Sequence, residues 1–289
     1  MKRRRSQSTQ LQRKLLRDAA NSLTTARFPD GPPYDPWVLA EDLGVTVYQE
    51  CLRGQDGYAD VRANGAVVVL DPLAPLCRKR FTLAHELGHI VLHRAWSRGV
   101  PLNLVRYRAS GCPAGVTSDP IEETLCNYFA AELLMPTEVV REIMKGKRLH
   151  PDLVYRVASL FITSVQAAAT RLCDVLGRRR FGISLWELEP WPMPIWWAGR
   201  KVGATRDWER VVKRAIRSST QSHLSLELRR ECVAITTCWS KGRLLLTTEL
   251  ASRRPDKNSE GRSSTKADSA VVGYSPQKRA LQPRLPGVE

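Results

Sequence analysis

The sequence has no run of apolar residues that approaches the ~20 needed for a membrane-spanning helix. Its basic start, Met1 to Arg5, is followed by polar residues where a signal peptide would have an apolar segment. The cysteines lack the paired spacing of a disulfide framework or a zinc ribbon. The seven are Cys51, Cys77, Cys112, Cys126, Cys173, Cys232 and Cys238. We therefore expect a cytoplasmic protein with reduced thiols and no membrane partner.

The overall composition is that of a globular chain, with 43% hydrophobic and 26% charged residues, so disorder throughout is excluded. The net charge of +16 is nevertheless large. Residues 251–289 hold eight Lys or Arg and four Asp or Glu and are rich in Ser, Pro and Gly, which predicts a disordered tail. We interpret the remaining positive charge mainly as solvated surface, with nucleic-acid contact as the alternative.

Two helices are predicted near the start of the chain. Apolar residues at positions 11, 15, 16, 19, 20 and 23 recur with helical spacing. Further on, Asp35 and Pro36 form the pair expected of an N-cap followed by proline at the first helical position. Gly44 ends the short helix that results.

A small sheet is predicted next. Val45 to Tyr48 has the composition of a strand, and the segments Tyr58–Arg62 and Ala66–Leu70 flank Asn64-Gly65, a dipeptide favoured in hairpin turns. We expect an antiparallel sheet whose edge could hold an extended peptide by main-chain pairing. Proline at Val68 is then expected to weaken that pairing.

The segment His85 to His89, His-Glu-Leu-Gly-His, lies in a helix predicted from Leu76 to His93. Residues four apart are separated by about 40° around a helix, so both imidazoles project from one face and can bind one zinc ion. Glu86 lies beside them and is predicted to be the general base that accepts a proton from water. These residues predict a zinc-dependent peptidase.

A catalytic zinc site needs a third protein ligand, and the helix predicted over Ile121–Met135 is its expected source. Glu123 precedes Asn127 by four residues, a spacing that can supply a ligand and a hydrogen-bonding amide nearby. Glu122, about 100° further around the helix, is the alternative ligand. His93 continues the ladder of histidines, but the two steps from His85 to His93 drift by about 80°, so we expect a structural role for it.

Two stretches carry the resemblance to a known family. Arg80-Phe-Thr-Leu-Ala-His-Glu-Leu-Gly-His-Ile-Val-Leu-His93, together with Glu123-Thr-Leu-Cys-Asn-Tyr-Phe-Ala-Ala-Glu-Leu-Leu-Met-Pro136, resembles the ImmA/IrrE metallopeptidases. The resemblance implies zinc on His85, His89 and Glu123, with Glu86 as base. It also implies a regulatory protease that cuts helix-turn-helix repressors in stress responses or mobile-element control. Cys126 departs from the family, where Ala is usual.

With this resemblance, the expected fold is α+β: a gluzincin-like zinc metallopeptidase domain, a helix-turn-helix-like segment and a small mixed C-terminal module. The boundaries follow composition and turn signals. They are an N-terminal helix and basic start over 1–30, the metallopeptidase domain over 31–145, the helix-turn-helix-like segment over 146–180, a tryptophan-rich module over 181–250 and the basic tail over 251–289.

Residues 157–177 resemble a helix-turn-helix, with Ser164 as N-cap of the second helix and Gly177 as its stop. A helix that reads DNA favours Arg, Asn or Gln at its start, whereas this one begins Val165-Gln166 and continues with three alanines. DNA is therefore a possible but not a favoured partner, and a protein substrate is expected. The alternatives to a protease are a DNA-binding regulator with a retained metal site and a partner protein of the toxin-antitoxin type.

Overall fold

The structure, a computed structural model, describes residues 2–62, 65–97, 120–187, 193–199, 222–228, 231–240 and 243–250. A mixed α+β architecture results, in which helices pack around a small sheet and a second sheet follows them in the chain. One cluster of buried apolar side chains extends from Leu16 in the first helix to Leu245 in the last strand. The predicted tail over 251–289 lies outside the described residues.

Two helices open the chain, as predicted. Helix α1 spans Lys2–Arg27 and is longer than the apolar pattern indicated. Helix α2, Pro36–Asp42, begins where Asp35 accepts a hydrogen bond from the Trp37 backbone N–H at 3.0 Å. This bond satisfies a donor that the first helical turn cannot pair internally, which explains why the helix starts there.

The first sheet contains strands β1 (Val45–Gln49), β2 (Gly57–Arg62) and β3 (Gly65–Leu70) in the order β1-β3-β2. The predicted hairpin is confirmed, since β2 and β3 pair antiparallel. The expectation of a purely antiparallel sheet is wrong, because β1 pairs parallel with β3. Val68 therefore lies fully buried in the central strand, and proline there would break the sheet itself. The hairpin edge is β2.

Helices α3 (Leu76–Ser97) and α4 (Pro120–Leu134) lie against each other beside this sheet. Helix α3 buries Leu83, Leu87 and Ile90 completely, an i, i+4, i+7 stripe that faces the core. Two glycines allow close approach. A Cβ atom on Gly88 would stand 3.2 Å from the Cys126 Cα atom of α4, and one on Gly57 would stand 2.7 Å from the Thr82 Cγ2 atom of α3.

Three helices follow: α5 (Thr137–Met144), α6 (Pro151–Phe161) and α7 (Val165–Leu176). The α6–α7 pair is bent by 109°, within the range of helix-turn-helix units. Ser164 caps α7 by accepting a hydrogen bond from the Ala167 N–H at 3.1 Å, and Gly177 ends it with a φ of 110°, as predicted.

Buried arginines join this helix pair to the preceding helices. Arg171 of α7 lies 2.6 Å from the Glu132 carboxylate of α4 and donates to the Met135 carbonyl at 2.7 Å. Arg80 of α3 donates to the Phe161 carbonyl at the end of α6 at 3.5 Å. The predicted boundary between residues 145 and 146 thus falls inside a shared interior, and the division into domains stays a prediction.

The described part of residues 181–250 is an antiparallel sheet of five strands in the order β5-β4-β8-β7-β6. The sequence patterns of Phe181 to Glu189, Cys232 to Thr237 and Leu244 to Thr248 predict strands, and these strands are confirmed. The strands over residues 193–199 and 222–228 are not predicted from the sequence. The bounds are Phe181–Glu187 for β4, Met193–Gly199 for β5, Ser222–Leu228 for β6, Glu231–Ser240 for β7 and Arg243–Leu250 for β8.

No single helix in the described ranges has both the length and the apolar composition of a membrane span. Helices α6 and α7 meet those criteria only when taken together, across their 109° bend.

Candidate metal centre

Helix α3 presents both histidines of the His-Glu-Leu-Gly-His segment on one side. The Nε2 atoms of His85 and His89 lie 3.1 Å apart, and the ring centroids lie 4.9 Å apart. The two side chains are 14% and 17% exposed, so the pair is shielded but reachable. The one-turn spacing predicted from the sequence is therefore present in the folded chain.

Helix α4 adds a carboxylate to the pair. The Glu123 Oε2 atom lies 3.2 Å from His85 Nε2, and its Oε1 atom lies 3.4 Å from His89 Nε2. His85, His89 and Glu123 form one of the groups of donor atoms that lie within 4.8 Å of one another in the described chain. Because α3 and α4 are adjacent, Glu123 lies beside both histidines, although it follows His89 by 34 residues in the sequence.

The spacing of these atoms fits a tetrahedral metal ion. Zinc bonds of about 2.0–2.1 Å to nitrogen and oxygen separate neighbouring ligand atoms in a tetrahedron by about 3.3–3.4 Å. The observed separations are 3.1 Å between the two nitrogens, 3.2 Å from His85 Nε2 to Glu123 Oε2 and 3.4 Å from His89 Nε2 to Glu123 Oε1, so each histidine is close to a different oxygen of the carboxylate. Two imidazoles and one carboxylate also form the ligand set of a known class of catalytic zinc site, which leaves one position open for water or substrate.

The opposite ring nitrogens of the two histidines have different partners. His85 Nδ1 lies 3.0 Å from the side-chain oxygen of Asn127, a neutral amide. His89 Nδ1 lies 2.7 Å from Glu122 Oε1, a carboxylate. If each imidazole carries its proton on Nδ1 and donates it to this acceptor, the Nε2 atom keeps its lone pair. Both Nε2 lone pairs are then available to a metal ion between His85, His89 and Glu123.

Glu86 lies between α3 and the edge strand β2. It is 9% exposed, and its carboxylate forms a hydrogen bond with the backbone of Ala59. Burial raises the pKa of Glu86 to about 7, and the nearby Glu123 contributes in the same direction. A carboxyl group with such a pKa exchanges its proton near neutral pH, which suits an acid-base role.

The electrostatics of the histidine pair favour one positive charge. Burial lowers the pKa of His85, and the adjacent His89 lowers it further. Burial also lowers the pKa of His89, but hydrogen bonds with Cys126, Glu122 and Glu123 reverse this and hold it above its usual range. The carboxylates of Glu122 and Glu123 thus stabilise a positive charge at His89, and a bound divalent metal ion would supply such a charge.

The structure brings together His85, His89 and Glu123, with Glu86 and Asn127 beside them, while the roles of these five residues stay predictions. Glu122, the alternative ligand, faces the other edge of the His89 ring. His93 is half-buried and does not belong to the converging donor group. The sequence analysis missed the Ala59 backbone contact and the Glu122 hydrogen bond, neither of which has a local sequence signal.

Comparison with known proteins supports a metallopeptidase domain, and two histidines and a carboxylate of the described chain could hold a metal ion. Residues 40–173, just under half of the chain, match the model of the IrrE N-terminal-like domain, Peptidase_M78, which supports the resemblance to the ImmA/IrrE family. The match includes α6 and most of α7 as well as both metal-site helices.

Two known proteins are similar to parts of the chain. The radiation response metalloprotease IrrE of Deinococcus radiodurans is 32% identical over 118 residues, which are 37% of this chain. The match covers 30% of that relative's length. A transcriptional regulator of Mycobacterium tuberculosis has a similar structure, with a TM-score of 0.46 and 13% identity, covering 81% of this chain and 74% of that one.

Proposed function

We propose that the chain is a zinc-dependent endopeptidase in which His85, His89 and Glu123 hold the ion and Glu86 is the general base. One observation carries the proposal: three donor side chains on two helices converge beside a buried carboxyl group, with distances of 3.1, 3.2 and 3.4 Å between their nitrogen and oxygen atoms. When bound, the zinc ion lowers the pKa of a coordinated water toward about 7 and polarises the scissile carbonyl.

Glu86 then moves the proton that hydrolysis requires. It accepts a proton from the attacking water, whose oxygen forms the new bond to the carbonyl carbon. As the carbon–nitrogen bond breaks, Glu86 returns the proton to the leaving amine. The Ala59 backbone N–H holds the carboxylate in place, and burial limits its contact with bulk water.

The substrate is proposed to bind as an extended segment along β2. In the described part of its sheet, β2 is an edge strand that pairs only with β3, so its other side is not paired with another described strand. The Ala59 hydrogen bond shows that this side of β2 adjoins Glu86. Main-chain pairing there would bring a peptide carbonyl group close to the metal-site helix.

We propose a helix-turn-helix transcriptional repressor as the substrate. The match of residues 40–173 to the IrrE N-terminal-like domain and the two shared motifs support this choice. The relative from Deinococcus radiodurans is named as a radiation response metalloprotease, which agrees with a role in a stress response. Cleavage of a repressor would then derepress its genes, and the reaction would take place in the cytoplasm.

The test compares the wild type with Glu86→Gln and with Glu142→Gln, an exposed substitution on α5. New protein N-termini that arise with the wild type and Glu142→Gln but not with Glu86→Gln identify the substrates in cells. We expect Glu86→Gln to keep one zinc per chain and to lose about 10²–10⁴-fold in cleavage rate of a purified repressor. Full cleavage by Glu86→Gln would refute the assigned base.

DNA binding through α6 and α7 is the second candidate function, supported by their 109° bend. The outer face of α7 offers little for base reading, because Arg171 is buried and Asp174 forms an ion pair with Arg178. A gel shift that is salt-dependent and specific for one sequence would support this function. Binding no tighter than to random DNA would reject it.

A further inference from the structure

Glu122 is a buried carboxylate that the proposed chemistry does not use. Its side chain is 4% exposed, and it lies in the first turn of α4, where the helix dipole favours negative charge. One oxygen is 2.7 Å from His89 Nδ1, and the other is buried with no hydrogen-bond partner among the described residues. Burial of a charged group is costly, so its place beside His89 calls for a physical reason.

The geometry rules out Glu122 as a direct ligand of the proposed ion. The Nε2 atoms of both histidines face Glu123, whereas Glu122 contacts Nδ1 on the other edge of the His89 ring. It therefore acts on the metal site only through the imidazole. The Cys126 sulfur lies within 4.8 Å of donor atoms of Glu122 and His89, and both Cys126 and Glu122 are buried.

A carboxylate on Nδ1 has two effects on an imidazole. It holds the proton on Nδ1, so that the lone pair remains on Nε2, and it fixes the rotation of the ring. It also makes Nε2 a stronger electron donor than a neutral acceptor would. His85 has only the amide oxygen of Asn127 in the corresponding position, so the two ligands are supported unequally.

We propose that Glu122 is a positioning residue that sets the metal affinity of the site by orienting and polarising His89. The inference rests on the metal site of the proposed function. Loss of such a partner weakens metal binding by about 10–100-fold in characterised zinc proteins. Of the two histidines, His89 is the one whose metal bond depends on a buried charge.

The experiment measures zinc affinity of the full chain by competition with a chromophoric chelator, for the wild type, Glu122→Gln and Glu122→Ala. Glu142→Gln is the matched control, because Glu142 is an exposed glutamate near Lys145. We expect affinity to fall about tenfold in Glu122→Gln and about 100-fold in Glu122→Ala, and to stay unchanged in the control.

Two further readouts separate positioning from a structural role. The melting temperature of the metal-free protein should be nearly the same for the wild type and Glu122→Gln, because the amide retains size and an acceptor oxygen. The visible spectrum of the Co²⁺-substituted protein should change in that variant, since the ligand field at His89 is altered.

Affinities of both variants within twofold of the wild type would overturn the proposal. If Glu122→Ala does not fold, Glu122→Gln alone decides the question. A wild type that binds no zinc would instead reject the metal site of the proposed function, so the two failures are distinguishable.

Discussion

Gly88 of α3 lies directly against Cys126 of α4. A Cβ atom at Gly88 would stand 3.2 Å from the Cys126 Cα atom and 3.3 Å from its Cβ atom, closer than ordinary van der Waals contact. The two histidines are on α3 and the carboxylates Glu122 and Glu123 are on α4, so the spacing of the two helices at Gly88 determines whether the donor atoms converge.

Gly88→Ala is expected to displace α4 from α3 by a few tenths of an ångström and to weaken zinc binding, with a larger loss in Gly88→Val. The helical propensity of alanine exceeds that of glycine by about 1 kcal/mol, so a loss of affinity would not stem from a weaker helix. Chelator competition measures the graded effect. Equal zinc affinity in all three proteins would contradict the role assigned to this contact.

Proline at Val61 tests the proposed peptide-binding edge. Because the Ala59 N–H points to Glu86, the alternation of a strand directs the Val61 N–H to the same side. Val61→Pro removes that donor and leaves the bonds to β3 intact. One lost hydrogen bond of about 0.5–1.5 kcal/mol predicts a kcat/KM about 2- to 10-fold lower.

Val61→Ala is the matched control, since it shortens the side chain and keeps the N–H. Zinc content should be the same in both variants. A kcat/KM for Val61→Pro equal to that of Val61→Ala would mean that substrates do not pair with this part of β2.

Glu132 stabilises the protein at neutral pH, and this contribution is lost in acid. Burial raises its pKa, but the charges and hydrogen bonds of Arg171 and Thr137 outweigh this, and the net pKa lies below the usual value. A depressed folded-state pKa contributes stability above the unfolded-state pKa of about 4.3, and the contribution is lost as the pH falls through the folded-state value. Breaking a buried ion pair of this kind costs about 3–5 kcal/mol.

Glu132→Gln should therefore lower the free energy of unfolding strongly at pH 7, and the difference from the wild type should shrink below about pH 4. Urea unfolding of the metal-free proteins at several pH values measures this. Glu138→Gln is the control, because its ion pair with Arg141 is exposed and worth at most about 1 kcal/mol. A difference that is constant from pH 7 to pH 3 would contradict the assignment.

Alkylation maps the burial of the thiols. Cys51 is exposed, whereas Cys126 and Cys173 are fully buried. Burial raises the pKa of Cys126 to about 11 and that of Cys173 to about 12, so both remain protonated and unreactive at pH 8. Iodoacetamide should modify Cys51 in the native protein and the other two only in denaturant, as read by peptide mass spectrometry. Rapid native labelling of Cys126 would mean that the α3–α4 contact opens.

The metal-site residues could be predicted because their signal is local. His85 and His89, like Glu123 and Asn127, are one helical turn apart, and the periodicity of a helix fixes which side chains share a face. The rotation of α4 relative to α3 has no such signal, so Glu122 remained an alternative ligand until the structure showed it at His89 Nδ1.

Strand partners are harder to predict than strands. The sequence predicts β1 correctly, but its parallel pairing with β3 depends on α2 and on packing, which local alternation does not encode. Strand β6 was missed although Leu224, Leu226 and Leu228 alternate with polar residues, a signal that was available. The two helices of the helix-turn-helix-like segment are present as predicted, whereas the burial of Arg171 depends on long-range contacts.

Gly57 is the counterpart of Gly88 on the other side of α3, since a Cβ atom there would stand 2.7 Å from Thr82 and 2.8 Å from the Val69 carbonyl oxygen. Neither glycine carries a functional group. In a saturation mutagenesis screen for activity, both positions should nevertheless be as intolerant as the metal ligands themselves. Neither glycine has a side chain that could be shortened. An engineer who wishes to change the space around the site has therefore to change the residues of β2 and α4 that contact α3.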